Sequence, residues 1–215
     1  MPSNAMNDQY SAAQGLAGRR VLVTGAGGFI GRTLCELLLS GGAEVHGTQR
    51  QHACGAGVVP HALDLRDAQA WRQCFRDVSP EVVFHLASPI DLRREPAVYD
   101  RLREGILDVT VEVARSCVEH DVRLVSVGTC ESYGTQTAPF SEDLDPRPVS
   151  PYSSLKAEAS SRVLAMTREE GLRATVARPF LTYGPGQAPE RLVPSAVMAA
   201  LSGVPFEMTD GRQTR

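Results

Sequence analysis

Short aliphatic runs alternate along this chain with longer stretches in which apolar residues recur every three or four positions. RRVLVTG (19–25) reads as a buried strand, followed by FIGRTLCELLLSGG, a helix that ends at paired glycines. AEVHGT (43–48) predicts a second strand, and Val58 to His61 a short third. RDAQAWRQCFRDV predicts a helix, PEVVFHLAS a fourth strand, and PAVYDRLREGILDVTVEVARSCVEH one long helix. DVRLVSVG is the fifth strand. SPYSSLKAEASSRVLAMTREEG reads as a helix capped by Ser150, with Pro151 in its first turn. LRATVARPF closes the series as a sixth strand. Continuous apolar strands separated by helices predict an α/β fold, a parallel sheet with helices on both faces. The stretch 135–148, TQTAPFSEDLDPRP, has no period; at the exit of a strand it is either a lid or a plain connector.

Composition narrows the class. A chain of 215 residues suits one large domain, or one domain and part of a second. A net charge of −3 gives no basic footprint for nucleic acid. No apolar run reaches the roughly 18 residues that span a bilayer. The N-terminus lacks the pattern of a secretory signal, and MPSNAM resembles a cloning remnant, so residues 1–17 are set aside from the fold. The five cysteines are odd in number and show no CxxC spacing, and the five histidines form no HxxxH pair. Reduced thiols, a cytoplasmic setting and no metal site are therefore expected.

The first chemical motif is VTGAGGFIG. Gly25, Gly28 and Gly31 lie between a strand and a helix, where a dinucleotide turn needs a tight bend, close approach of backbone amides to a pyrophosphate, and close packing of helix on strand. At the end of the second strand an acid would suit the ribose of NAD, and an arginine the extra phosphate of NADP. The sequence there is VHGTQRQ: Gln49 stands where the acid would be and Arg50 follows. This favours NADP(H), with NAD(H) the other option if Arg50 is only a solvated surface residue. Asp64, in LDLRD, is placed either to accept from the adenine amino group or to cap the next helix.

The second motif surrounds the only lysine of the chain, Lys156. It follows Tyr152 by four positions, so both project from one helix face. A neighbouring cation favours phenolate and would lower the tyrosine pKa. A compact ammonium can do this while donating to a ribose, which a planar guanidinium does less well. Thr129 ends the fifth strand, at the edge where open α/β sheets bind ligands, and its hydroxyl can stabilise a carbonyl oxygen that gains charge.

Together TGxxGFIG (24–31), LDLRD (63–67), HLAS (85–88), VGTCESYG (127–134), SPYSSLK (150–156) and RPFLTYGPGQ (178–187) resemble the extended short-chain dehydrogenase/reductases, the nucleotide-sugar epimerase/dehydratase/4-ketoreductase group. The resemblance implies a Rossmann doubly wound sheet over 18–180 and the start of a small, incomplete substrate-binding portion over 181–215. It implies Thr129, Tyr152 and Lys156 as the catalytic trio, and places Phe29, Ile30, Leu65, Leu86, Ala87, Ser88 and Pro179 along the cofactor. Similarity is greatest to GDP-4-keto-6-deoxymannose reductases, which implies NADP(H)-dependent reduction of a 4-keto nucleotide-sugar. A 4-epimerase or 4,6-dehydratase would use the same trio. For dehydration Glu131 is a candidate base, although Cys130 stands where many dehydratases carry Asp; otherwise Glu131 orients the sugar or faces solvent. A non-catalytic NADP(H)-binding protein is a third reading, and such proteins typically lose the Tyr-Lys pair. By analogy Arg191, Arg212 and Arg215 are candidate diphosphate contacts. A homodimer through helices 95–120 and 150–170 is implied as well. The sequence departs from the family at Leu181 and Thr182, which replace a common Asn-Val pair, and has no asparagine after Asn7.

Overall fold

A computed structural model describes residues 13–91, 93, 95–208 and 210. The described chain forms two compact units, divided between Phe180 and Leu181. The first carries six parallel strands, β1 (Arg20–Thr24), β2 (Glu44–Gln49), β3 (Val59–Ala62), β4 (Val82–His85), β5 (Arg123–Val127) and β6 (Ala174–Ala177). Their order is β3-β2-β1-β4-β5-β6, and every neighbouring pair is parallel. The order reverses between β1 and β4. Ligands of open α/β sheets bind in the crevice outside the strand ends at such a reversal.

Alternation along β1 assigns its side chains to two cores. Leu22 joins Trp71, Phe75, Val83, Val113, Leu124 and Val163 on one face. Val21 and Val23 join Cys35, Leu38, Val45 and Val82 on the other. The first face is covered by α2 (Ala68–Val78), α4 (Val109–Glu119) and α5 (Pro151–Glu169), the second by α1 (Phe29–Ser40). The two faces are unevenly covered because the β2–β3 connection is a loop. The edge strands are also less buried than continuous apolar runs predict. Thr175 and Ala177 of β6 are exposed, alternating with half-buried Ala174 and Val176. β3 contains Pro60, which lacks an N–H and is tolerated at a sheet edge.

The long helix expected over 96–120 is interrupted. It runs as α3 (Pro96–Arg103), a π-helical segment over Glu104–Asp108, then α4. Within the π segment, a Cβ on Gly105 would lie 2.7 Å from Pro89 Cγ. The widened turn and the missing side chain let the loop after β4 press against the helix, as π-bulges near ligand sites often do.

The second unit holds α6 (Leu192–Ser202), which the sequence reading did not identify. Its residues LVPSAVMAALS are almost all apolar, so there is no polar stripe to reveal a period of 3.6. No described helix is long and apolar enough to cross a membrane, and no described group of His, Cys, Asp or Glu could hold a metal ion. No disulfide joins any two of the five cysteines.

Candidate active site

A cavity of about 640 Å³ opens over the carboxyl ends of β1, β2, β3 and β4, lined by Gly25, Gly28, Arg50, Asp64, Leu65, Leu86, Ala87 and Ser88 among others. Its volume lies within the range of ligand sites. All eight of these residues were expected from sequence to meet a dinucleotide. Of the remaining expected contacts, Phe29, Ile30 and Gly31 open α1 beside it, while Tyr152, Lys156 and Pro179 are not in its lining.

The glycines have distinct physical reasons. Gly25 has φ +72°, a conformation L side chains rarely adopt, and a Cβ there would lie 2.9 Å from the Ala87 nitrogen. At Gly31 a Cβ would fall 2.2 Å from the Gly25 carbonyl oxygen, so the close packing is against the loop itself. Gly28 faces the cavity, with only the Gly25 oxygen near its missing Cβ. It is the N-cap of α1, and no side chain caps that helix. Uncapped amides at a helix start suit an anion. Gly27, which the sequence reading did not single out, is as constrained: a Cβ would lie 2.4 Å from the His52 carbonyl oxygen. The glycine doublet was its only signal. These cradles, with an uncapped helix start at their lip, fit a dinucleotide pyrophosphate.

Thr24 ties the two central strands together beneath the cavity. Its hydroxyl oxygen accepts from the Leu86 and Ala87 amides at 3.2 Å each. Its proton is therefore free to donate to His85 Nδ1 at 2.8 Å, which leaves His85 Nε2 to donate to Thr110 at 3.0 Å. Burial, followed by the nearby charge of Lys156, pushes this imidazole down to about 3.

At the far end, the Gln49 side-chain oxygen accepts from the Cys54 amide at 3.0 Å. Asp64 caps no helix: Asp67 caps α2, accepting from the Gln69 and Ala70 amides at 3.0 Å. Asp64 instead accepts from the Arg66 backbone and side chain, and lies 3.5 Å from Arg50. Arg66 also lines the cavity. Asp91 is built alike: it accepts from the Arg93 backbone and side chain and from Arg101, another cavity residue.

Thr129 is buried and leads into a 3-10 turn over Cys130–Tyr133, where its hydroxyl oxygen accepts from the Glu131 amide at 3.2 Å. Tyr152 and Lys156 sit in the first turns of α5. A Ser150–Ser153 capping box fixes the start of that helix. Lys156 is 5% exposed, and its ammonium donates to the Val127 carbonyl at 2.5 Å. Burial pushes it down to about 8. The Tyr152 phenol moves opposite to the sequence expectation. Burial first, then the Glu131 carboxylate, raise its pKa, and a hydrogen bond from the Ser88 hydroxyl pulls the other way.

The loop after Tyr133 is tied down as a connector. The Arg147 amide donates to the Ser132 carbonyl at 2.8 Å, and Gln136 donates to the Asp145 carbonyl at 3.0 Å. Phe140 stacks on Tyr133 at 4.8 Å between ring centres. Arg178 donates to the Tyr133 hydroxyl at 3.1 Å and to the Glu142 carbonyl at 3.3 Å.

A sequence model of the NAD dependent epimerase/dehydratase family matches residues 21–215. The chain belongs to the NAD dependent epimerase/dehydratase family. Among family relatives, the 2-alkyl-3-oxoalkanoate reductase of Stenotrophomonas maltophilia is 31% identical over 200 residues, which cover 86% of this chain and 56% of that one. The dTDP-glucose 4,6-dehydratase of Mycobacterium tuberculosis is 30% identical over 212 residues, covering 86% and 60%. Among solved structures, MoeE5 in complex with UDP-glucose and NAD gives a TM-score of 0.74 at 32% identity, over 85% of this chain and 61% of that one. Pal from Bacillus thuringiensis gives 0.82 at 29%, over 91% and 68%. The chain thus spans 56% and 60% of the length of the two curated relatives.

Three residues were expected at the substrate diphosphate. Arg191 is the N-cap of α6 in the second unit. Arg212 and Arg215 lie outside the described residues.

Proposed function

We propose that this chain carries the cofactor-binding and acid–base residues of an NADP(H)-dependent enzyme that reduces a 4-keto nucleotide-sugar. One observation carries the reading: the Ser88 hydroxyl acts on the Tyr152 phenol, lowering its pKa against the effect of burial, and Ser88 lines the glycine-cradled cavity. The acid–base candidate and the dinucleotide cavity thereby adjoin at Ser88. The names of two relatives, a dTDP-glucose dehydratase and a protein complexed with UDP-glucose and NAD, support the substrate and cofactor classes.

Bound NADPH would supply a hydride to the carbonyl carbon. Thr129 has its oxygen lone pair engaged by the Glu131 amide, so its hydroxyl proton is available to the substrate carbonyl oxygen. Tyr152 stays protonated at neutral pH because burial and Glu131 raise its pKa, which suits a general acid for the same oxygen. Lys156, buried and bonded to the Val127 carbonyl, would supply a positive field, and its remaining N–H groups would donate toward the ribose.

A 4-epimerase or 4,6-dehydratase is the second reading. The influence of the Glu131 carboxylate on Tyr152 favours it, because a base beside the phenol is what elimination requires. The deciding experiment measures NADPH oxidation against 4-keto-6-deoxy nucleotide-sugars, with NADH and a 2-alkyl-3-oxoalkanoate as comparison arms. Stoichiometric NADPH consumption with a sugar nucleotide, lost by about a hundredfold in Tyr152→Phe, is expected. Turnover without net NADPH consumption moves the assignment to the second reading. Full activity in Tyr152→Phe overturns the acid–base assignment.

A further inference from the structure

We propose that Arg50 and Arg66 form a two-armed clamp for the 2′-phosphate of NADP(H), with Asp64 as the positioning residue between them. The proposal rests on the cofactor reading above and extends it from one arginine to a built site.

The two arms come from adjacent strand ends. β2 and β3 are paired, with Gln49 opposite Ala62. Arg50 follows β2 directly, and Arg66 lies four residues beyond Ala62. Both line the same cavity as Asp64. Asp64 Oδ1 accepts from the Arg66 amide and Nε at 3.0 Å each, and Oδ2 accepts from an Arg66 terminal nitrogen at 2.6 Å. The first Arg50 terminal nitrogen reaches Oδ2 at 3.5 Å. These bonds occupy both oxygens and hold the carboxylate well below the usual range. Asp64 is therefore committed to the arginines, leaving it a poor acceptor for an adenine amino group.

The donors are not exhausted. A guanidinium carries five N–H groups in a fixed fork. Arg66 engages Asp64 through Nε and one terminal nitrogen only, and Arg50 through one terminal nitrogen. The side chains of Arg50 and Arg66 are 53% and 49% exposed, so their outer edges remain accessible. Two guanidiniums and one carboxylate leave a net positive site, the sign that a phosphate monoester needs. Gln49 points to the same ligand. Its oxygen already accepts from the Cys54 amide, and its NH₂ group carries two donors. A donor at that position complements a phosphate, whereas NAD enzymes place an acceptor there for the ribose hydroxyls.

Equilibrium titrations with NADPH, NADH, 2′,5′-ADP and 5′-AMP test the clamp without any substrate. The wild type should prefer NADPH over NADH, and 2′,5′-ADP over 5′-AMP, by about tenfold or more. Arg66→Leu and Arg50→Leu should each remove most of that preference while NADH and 5′-AMP affinities change little. Asp64→Asn decides its own role by sign. A merely repelling carboxylate, once neutralised, would tighten NADPH, whereas loss of a positioning residue weakens NADPH and 2′,5′-ADP selectively. Equal losses for NADPH and NADH in Asp64→Asn would mean an adenine contact and overturn the positioning role. If the wild type prefers NADPH and Arg66→Leu keeps that preference, the clamp fails while the NADP(H) reading stands. If the wild type binds NADH as tightly as NADPH, the NADP(H) reading fails as well. Melting curves of the variants identify any that are unfolded, and Arg66→Lys then repeats the test with charge kept and the fork removed.

Discussion

The Lys156 ammonium donates to the Val127 carbonyl, tying the second turn of α5 to the end of β5 two residues before Thr129. Two of the proposed catalytic residues are thus set by one bond. Val127 is the last residue of β5, and the lysine gives its carbonyl a charged donor.

Lys156→Arg tests whether charge alone is required. The site is 5% exposed and filled by a narrow side chain. A guanidinium there overpacks, at about 1–3 kcal/mol, and displaces either the Val127 bond or Tyr152. A lowered melting temperature, weaker NADPH binding and turnover reduced by about a hundredfold are expected together. Near-normal turnover in this variant would show that any buried cation suffices.

Glu131→Gln should move the pH profile. Glu131 contributes to raising the Tyr152 pKa, second to burial. As a general acid the phenol works only while protonated, so activity is lost as pH rises through its pKa. Removing the carboxylate lowers that pKa, and the alkaline limb of kcat/KM should shift to lower pH. A limb that stays in place while all activity disappears would identify Glu131 as a reacting base.

His85 predicts a specific acid sensitivity. Its folded pKa of about 3 lies below the ordinary value of 6.5. Between these values the unfolded chain binds a proton that the folded chain does not, so stability present above pH 6.5 is lost as pH falls toward 3. His85→Gln should lose about 1 kcal/mol at pH 7 from its broken Thr24–Thr110 link. In urea titrations the gap between variant and wild type should close and then reverse as pH falls from 7 to 4. A gap that stays constant would show that His85 is not the titrating group.

Gly27→Ala should disturb both fold and cofactor site. Its Cβ would meet backbone oxygen atoms of His52 and Ala53 at 2.4 and 2.8 Å. Rigid backbone must shift, at about 1–3 kcal/mol, and the shift moves the wall that carries Gln51 and His52. Gly55→Ala is the control: nothing lies within 4 Å of its Cβ, so its stability should stay within about 0.5 kcal/mol of wild type. Thermal melts and NADPH titrations on both variants check the contrast.

The alternation of apolar runs and helical periods was enough to predict six parallel strands, because central strands buried on both faces are apolar along their length, while the exposed edge strands β3 and β6 were legible from their place in the alternation. The spacing of Gly25, Gly28 and Gly31 and the Tyr152–Lys156 pair were likewise legible, since both lie within one local element whose geometry fixes them. What depended on distant contacts was not. Gly27 is constrained by His52, Gly105 by Pro89, and Asp64 by its choice between Arg66 and an outside ligand. The π segment has no periodic signature, because it is set by how closely the loop after β4 approaches the helix. The direction of the Tyr152 shift also came out only in three dimensions. The sequence placed a lysine four residues away, but burial, Glu131 and Ser88 set the phenol's environment, and the ammonium faces a carbonyl on another strand. By itself the sequence determined which local elements form and which chemical groups they carry. The tertiary structure decided which partner each group meets, because burial and hydrogen bonding between segments far apart in sequence follow only from packing.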